Sequence, residues 1–296
     1  MLRFAKQVRT ALVRTLEHDQ FAVAKAAAFS VVLTLFPAVL LISAILSASH
    51  STLGFVREIS HAIGGIMPSG TAPSISTFVE GRRPAPVRMI VYTSLITLWT
   101  GSGVMISWMD GFRRAYELPR VWNLTQERIV SFLLVLMAGI PMAFASFLLA
   151  FGKQIENWLA FHAAREMDAY IIALWTLIRL MIALMTTVAV LALIYHHGLP
   201  RTQPWHRVVP GSVLATGLWF ASTTIFGWYL RHYADYGVIY GSVGTAIALL
   251  IWSYLVSLVV LIGAEFNAVR YPRYLFGAYS RLHSEDESGQ RNPKAS

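Results

Sequence analysis

The sequence predicts an all-α protein, a polytopic membrane helix bundle with six transmembrane helices and both termini in the cytoplasm. Three observations predict it. Only 13% of the 296 residues are charged, about half the ~25% of a soluble domain. Hydrophobic residues make up 56% of the chain and the mean hydropathy is positive, which excludes a disordered chain and argues against an ordinary soluble enzyme. Finally, the stretches 26–48, 89–109, 129–151, 208–230 and 236–264 contain no charged residue, and 169–195 contains one, Arg179. A spanning helix needs about 20 apolar residues at 1.5 Å each to cross a hydrocarbon core of about 30 Å. Soluble helices of this length would carry a charged face, and barrel strands would alternate polar and apolar over about 10 residues.

The elements follow in order. Residues 1–25 read as a basic amphipathic helix on the membrane surface. Phe4, Val8, Leu12 and Leu16 share a face, flanked by Arg3, Lys6, Arg9 and Arg14, the pattern of an interfacial helix on anionic lipid. The transmembrane domain, 26–275, comprises spans near 26–48, 89–109, 129–151, 169–195, 208–230 and 240–265. Pro37 and Pro141 lie inside the first and third spans, where each removes a backbone hydrogen bond and predicts a kink. The loop 49–88 is long enough to be partly structured, with an interfacial helix expected over Gly54–Ile66. Residues 276–296 are polar and expected to be a disordered cytoplasmic tail. Twenty-five mostly polar residues precede a first apolar stretch too long for a cleavable signal.

Charge placement gives the orientation. With the N-terminus inside, the cytoplasmic segments hold 16 of the 24 Lys and Arg residues, the opposite side holds seven, and Arg179 lies between. That asymmetry puts both termini in the cytoplasm. It accounts for the formal charge of +9 without nucleic acid and leaves the basic face to anionic headgroups.

Three stretches then carry a resemblance. The first is Ala26-Ala27-Ala28-Phe29 with Thr34-Leu35-Phe36-Pro37. The second is Val209-Pro210-Gly211-Ser212 with Leu218-Trp219-Phe220. The third runs from Tyr240-Gly241-Ser242-Val243-Gly244 through Trp252 to Gly263-Ala264-Glu265-Phe266-Asn267-Ala268. In their order, and in helix number and length over residues 18–275, the chain resembles the YihY/BrkB membrane proteins of bacteria, formerly labelled ribonuclease BN. One departure follows the second span, where the family often has an Asn-containing motif and this chain has Met109-Asp110-Gly111-Phe112-Arg113-Arg114. The resemblance implies a bacterial inner-membrane protein and carries over no catalytic residue.

The residues themselves offer little reaction chemistry. A metal-dependent nuclease needs clustered His and carboxylate ligands, yet the nine histidines are divided between the two membrane faces and no HExxH string occurs. His196, His197 and His206 have no carboxylate in their loop and suit a helix C-terminus instead. Ser242 lies near the opposite membrane face from His196 and His197, which excludes a general-base contact, and no P-loop is present. Without cysteine, thiolate metal sites are excluded. The reading is therefore not an enzyme, with no cofactor and no metal.

What needs a reason is charge at depth. Arg179 lies ten residues into the fourth span, about 15 Å deep, where a charged group costs at least about 2.5–3.5 kcal/mol. Matching depth helix by helix brings Thr97, Trp99 and Thr100, Ser222 and Thr223, and Trp252, Ser253 and Tyr254 to the same layer. No carboxylate reaches it. The expectation is a polar midplane cavity around Arg179, lined by Thr97, Thr100, Ser222, Thr223, Trp252 and Ser253, that binds an anionic solute or lipid headgroup. Nearer the cytoplasm, Asp110, Arg113, Arg114, Glu265 and Asn267 are expected to form a structural charge network locking the second and sixth spans. The function class that follows is a transporter or lipid- or anion-translocating protein of envelope biogenesis, with membrane lipids as partners and room for a homo-oligomer. A non-catalytic envelope-assembly scaffold is the alternative, and the lack of a clear internal repeat counts toward it.

Overall fold

The computed structural model describes residues 2–47, 87–162, 168–200, 202–232 and 242–271. The loop expected over 49–88, with its interfacial helix at Gly54–Ile66, lies outside the described residues except for its last two positions. The tail 276–296 lies outside them entirely.

Seven helices and no strand occur among the described residues. They are α1 (Leu2–Glu17), α2 (Gln20–Ser47), α3 (Val87–Ala115), α4 (Leu124–His162), α5 (Asp168–His197), α6 (Trp205–His232) and α7 (Ser242–Arg270). The last six each contain a stretch long and apolar enough to cross a membrane. All six exceed the hydrophobic spans read from sequence. α2 begins at Gln20 rather than at residue 26, and α4 runs for 39 residues. The absence of charge marks only the hydrocarbon layer, whereas a helix continues wherever its backbone groups still need partners. For the same reason α2 and α4 remain helical through Pro37 and Pro141.

Chain-order neighbours pack side by side, and α7 closes the ring against α2. α7 also meets α3 across the ring and α1 at one end. That end, the α1 end, is where the core is densest. Phe112 of α3, Tyr195 of α5, Val208 of α6 and Leu261 and Phe266 of α7 are all buried there. Along α7, every residue from Val259 to Ala268 is buried, so this stretch is enclosed on all sides by α1, α2, α3, α5 and α6. Small residues make the enclosure close. Ala24, Ala27 and Ala28 of α2 are buried, a β-carbon on Gly101 of α3 would touch Thr34 of α2 and Val135 of α4, and one on Gly103 would crowd Ser30 of α2. Helices in lipid approach closely through such positions because dispersion contacts replace the hydrophobic drive.

Local signals set the junctions. Asp19 has φ of +52° between α1 and α2, a left-handed turn that Asp tolerates better than most residues. After α3, Glu117 has φ of +55°, with Leu118 N–H donating to Arg113 O and Glu117 N–H to Arg114 O. This is the Schellman pattern that satisfies the last carbonyls of a helix. α4 starts with a reciprocal cap. Gln126 N–H donates to Asn123 Oδ1 at 2.8 Å, and Asn123 N–H returns to Gln126 Oε1 at 3.2 Å, the capping-box arrangement.

Candidate functional site

Two polar layers stand out. The first, at the α1 end, is built around Glu265. Its side chain is 0% exposed. A carboxylate removed from water must find donors, and the turn at Asp19 supplies two of them. His18 Nδ1 donates to Glu265 Oε1 at 2.8 Å, and Gln20 Nε2 donates to the same oxygen at 2.8 Å and to Gly111 O at 2.9 Å. Gly111 is glycine because a β-carbon there would overlap Leu261 and crowd Gln20. Glu265 Oε2 and Gln20 Oε1 are buried without a protein partner. Outside this layer, Arg14 pairs with Glu117 at 3.0 Å, and Glu117 is 3.8 Å from His18 Nε2. Burial, and secondarily the charge of Glu265, push the Tyr116 phenol well up, although its hydrogen bond to Gln203 at 3.0 Å works the other way.

The five residues expected to make one charge network fall into three separate contacts. Asp110 pairs with Arg113 and Arg114 of its own helix. Glu265 turns instead to His18 and Gln20. Asn267 crosses to α6, accepting Gly211 N–H at 2.7 Å and donating to Val208 O at 3.0 Å. Counting residues along each helix carries no information on rotation about the helix axis. Gly111 is the residue of this stretch that lies against Leu261 of α7 and Gln20 and Val23 of α2, while Arg114 reaches Asp19 at 4.0 Å.

The second layer lies in the middle of the spans. Arg179 is half-buried. It lies on the same stripe of α5 as Ala183, Thr187, Val190 and Ile194, the last two buried, so its helix face is the packed one. Among the described residues Arg179 has no hydrogen-bond or ion-pair partner. Ser222 and Thr223 are half-buried on the packed stripe of the adjacent α6, between Trp219 and Phe226. Trp252 packs against Phe226 and Leu230, and its Nε1 and the Ser253 hydroxyl are buried without partners. Thr97 and Thr100 are placed differently. Both donate back to their own helix, to Thr93 O at 2.7 Å and Ile96 O at 2.9 Å. Their helix α3 packs along α2, α4 and α7, while α5 packs along α4 and α6.

The cation beside that part of α3 is one the sequence reading counted only toward topology. Arg128 of α4 donates from a terminal guanidinium nitrogen to Ser102 Oγ at 2.7 Å, and its guanidinium carbon lies 4.6 Å over the Trp99 ring. Its closeness to the start of α4 concealed it.

The histidines near the end of α5 form a turn clamp. His196 donates from Nδ1 to Gln203 O, stacks on Trp205 at 4.4 Å and meets His197 edge-on at 4.5 Å. Among the described residues no three His, Asp or Glu side chains stand together as a metal-holding group.

Gly211 and Gly263 press backbone to backbone, since a β-carbon at 211 would overlap Gly263 O and one at 263 would lie 2.7 Å from Gly211 O. Asn267 secures the same crossing. Two of the sequence motifs thus meet in one joint, and the model of the family described as virulence factor BrkB matches residues 11–286. The chain belongs to the BrkB family. This BrkB-family chain is 26% identical over 185 residues to the ribonuclease-like protein YfkH of Bacillus subtilis, covering 62% of this chain and 66% of that protein. It is 24% identical over 271 residues to a UPF0761 membrane protein of Stenotrophomonas maltophilia, covering 86% and 58%. A 64-residue stretch is 41% identical to a UPF0761 membrane protein of Tolumonas auensis, covering 22% and 21%. The chain therefore spans less than two thirds of each of these relatives. No solved structure matches it.

Proposed function

We propose that this BrkB-family protein is a non-enzymatic, multi-pass protein of the bacterial inner membrane that moves an anionic solute or lipid headgroup past a polar midplane site at Arg179. The α1 end is then cytoplasmic, which follows from the excess of Lys and Arg on that side. The observation that carries the reading is the half-buried Arg179 on the packed stripe of α5, with no acidic partner among the described residues. An ionised side chain at that depth faces a partner or a polar cavity, and on this reading it is met by the groups that residue counting puts at the same depth, the hydroxyls of Ser222 and Thr223 on the adjacent α6 and, on α7, Trp252 Nε1 and the Ser253 hydroxyl, both buried without a partner. Hydroxyl and indole donors with a guanidinium suit an anion. Thr97 and Thr100, on a helix that packs elsewhere, belong to a separate part of the path.

The test is transport by the purified protein in liposomes, reading efflux of a small anion and flip of a fluorescent anionic lipid. Arg179→Met is expected to abolish one of the two with the protein still inserted, and Arg179→Lys to retain part of it. Full transport by Arg179→Met removes the proposal. A second reading, an envelope-assembly scaffold, is favoured by one specific feature. α1 packs through Ala11 and Thr15 yet leaves Phe4, Leu12, Val13 and Leu16 exposed, a face available to membrane or partner. The ribonuclease-like name belongs to the Bacillus subtilis relative, and among the described residues no cluster of His, Asp and Glu able to hold a metal ion supports it here.

A further inference from the structure

Arg128 stands in an unusual setting for an arginine near a helix start. Such side chains ordinarily extend toward water and phosphate at the membrane edge. This one is the fifth residue of α4, and it reaches Ser102, the sixteenth residue of the 29-residue α3. Ser102 is about 12 Å along α3 from Asp110, where the charged end of that helix begins. The guanidinium is thus held well inside the span.

Its holding contacts leave most of its donors unused. One N–H goes to Ser102 Oγ, whose own hydroxyl donates to Trp99 O at 2.6 Å. The Trp99 ring lies under the guanidinium, and Phe132, one turn further along α4, is 6.0 Å from that ring. The adjacent carboxylate, Glu127, is committed to Arg120 by two hydrogen bonds. Among the described residues Arg128 has no ion pair and no hydrogen-bond acceptor other than Ser102, so within them the rest of its fork is unpaired. A guanidinium fixed by an aromatic face and a hydroxyl, with its fork free, is arranged for phosphate or carboxylate.

The direction in which the groove opens selects between a dissolved anion and a lipid. Trp99 is 59% exposed, and Ile96 of α3 and Ile129, Leu133 and Leu136 of α4 are exposed around it. This apolar rim faces the acyl-chain side of the ring. A free anion would have to cross hydrocarbon to arrive there, whereas a lipid brings its own chains to cover the rim.

We propose that Arg128, with Trp99 and Ser102, forms a lateral site in the α3–α4 groove for the phosphate of an anionic membrane lipid. This deepens the translocation reading and rests on it for biological purpose, naming the substrate class as a phosphate-bearing lipid. The site itself is testable without transport.

The experiment is native mass spectrometry of the full-length protein titrated with phosphatidylglycerol or with phosphatidylcholine of the same chains. The wild type is expected to retain at least one phosphatidylglycerol in preference to phosphatidylcholine. Arg128→Met is expected to weaken that binding by about tenfold or more, because a charge-assisted fork is lost. Arg128→Lys keeps the charge without the fork and is expected to fall between them. It also serves if the Met variant does not fold. Glycerol phosphate at excess is expected not to displace the lipid, and displacement would make the site one for a free phosphate and overturn the lipid assignment. Equal binding by wild type, Arg128→Met and Arg128→Lys, or no preference for the anionic lipid, would overturn the site. Arg179→Met separates the two proposals. If it transports normally while Arg128→Met loses the lipid, the midplane reading falls and the lateral site stands.

Discussion

Gly211→Ala is the most direct test of how this bundle is held. The added β-carbon would overlap Asn267 Nδ2 and Gly263 O, and neither can yield cheaply. One is backbone in a helix buried on every side, and the other is an amide already bonded to Gly211 N–H and Val208 O. Overpacking of this kind costs about 1–3 kcal/mol. Displacing Asn267 forfeits two buried hydrogen bonds at about 1 kcal/mol each, against which Ala gains about 0.5–1 kcal/mol over Gly in a helix. The net loss is about 2–4 kcal/mol, which at about 2–4 °C per kcal/mol for a domain near this size lowers the midpoint by roughly 5–15 °C. The assay is the fraction of detergent-solubilised protein that stays monodisperse after heating. Gly217→Ala is the internal control on the same helix, because a β-carbon there has nothing within 4 Å; it is expected to leave the midpoint unchanged or slightly raised. If both variants melt together with wild type, the α6–α7 joint is not what the side-chain geometry makes it.

Three further outcomes follow from the same contacts. Glu265→Leu removes the acceptor of His18 and of one Gln20 Nε2–H, the other staying on Gly111 O, and is expected to cost about 2–4 kcal/mol for the buried donors left unsatisfied; Glu265→Gln, which can still accept from both, is expected to recover most of it in the same heating assay. Asp110→Asn disrupts only partly exposed pairs three and four residues apart on one helix, worth about 0.3–0.5 kcal/mol each, so its midpoint is expected to stay within about 3 °C of wild type. Tyr195→Phe removes the hydroxyl that donates to Val260 O at 2.6 Å and is expected to cost about 1 kcal/mol, measured as a small drop in the same midpoint.

The number and identity of the membrane spans were legible because lipid imposes one condition on every residue of a spanning segment, and charge violates it visibly. Rotation and neighbourhood were not. Asp110 and Glu265 match in depth, yet the bond Glu265 makes is to His18, 247 residues away in sequence, because the left-handed turn at Asp19 folds that stretch back under α7. Residue counting puts Thr97 and Arg179 in one layer, but the ring order puts α3 and α5 on either side of α4. Period alone could not reveal that order, since the spans are apolar nearly all round and leave no charged face to orient them. Arg128 was hidden for a related reason. Near a helix start, an arginine reads as topology, and only the cap at Asn123 and the packing of α4 on α3 turn it toward Ser102.

This separation bears on how membership in the family relates to what the protein does. Several described residues of the motifs that carry the resemblance are positions of close packing. Gly211 and Gly263 admit no side chain, Asn267 ties α6 to α7, and the alanines of α2 let α3 approach. Substituting them perturbs the bundle wherever it occurs in the membrane, whatever passes through it. Arg179, Arg128 and Trp99 stand outside those motifs, on faces that the packing leaves half-buried or open. Residues bound by packing identify the scaffold, and the cations outside it, Arg128 held on Ser102 and Trp99 and Arg179 on the α5 stripe, are free to differ with the ligand. Two BrkB-family chains that share the Gly211–Asn267 joint and differ at the positions of Arg128 and Arg179 should therefore melt alike and bind different lipids. Exchanging those two side chains between them is the measurement that would separate scaffold from selectivity.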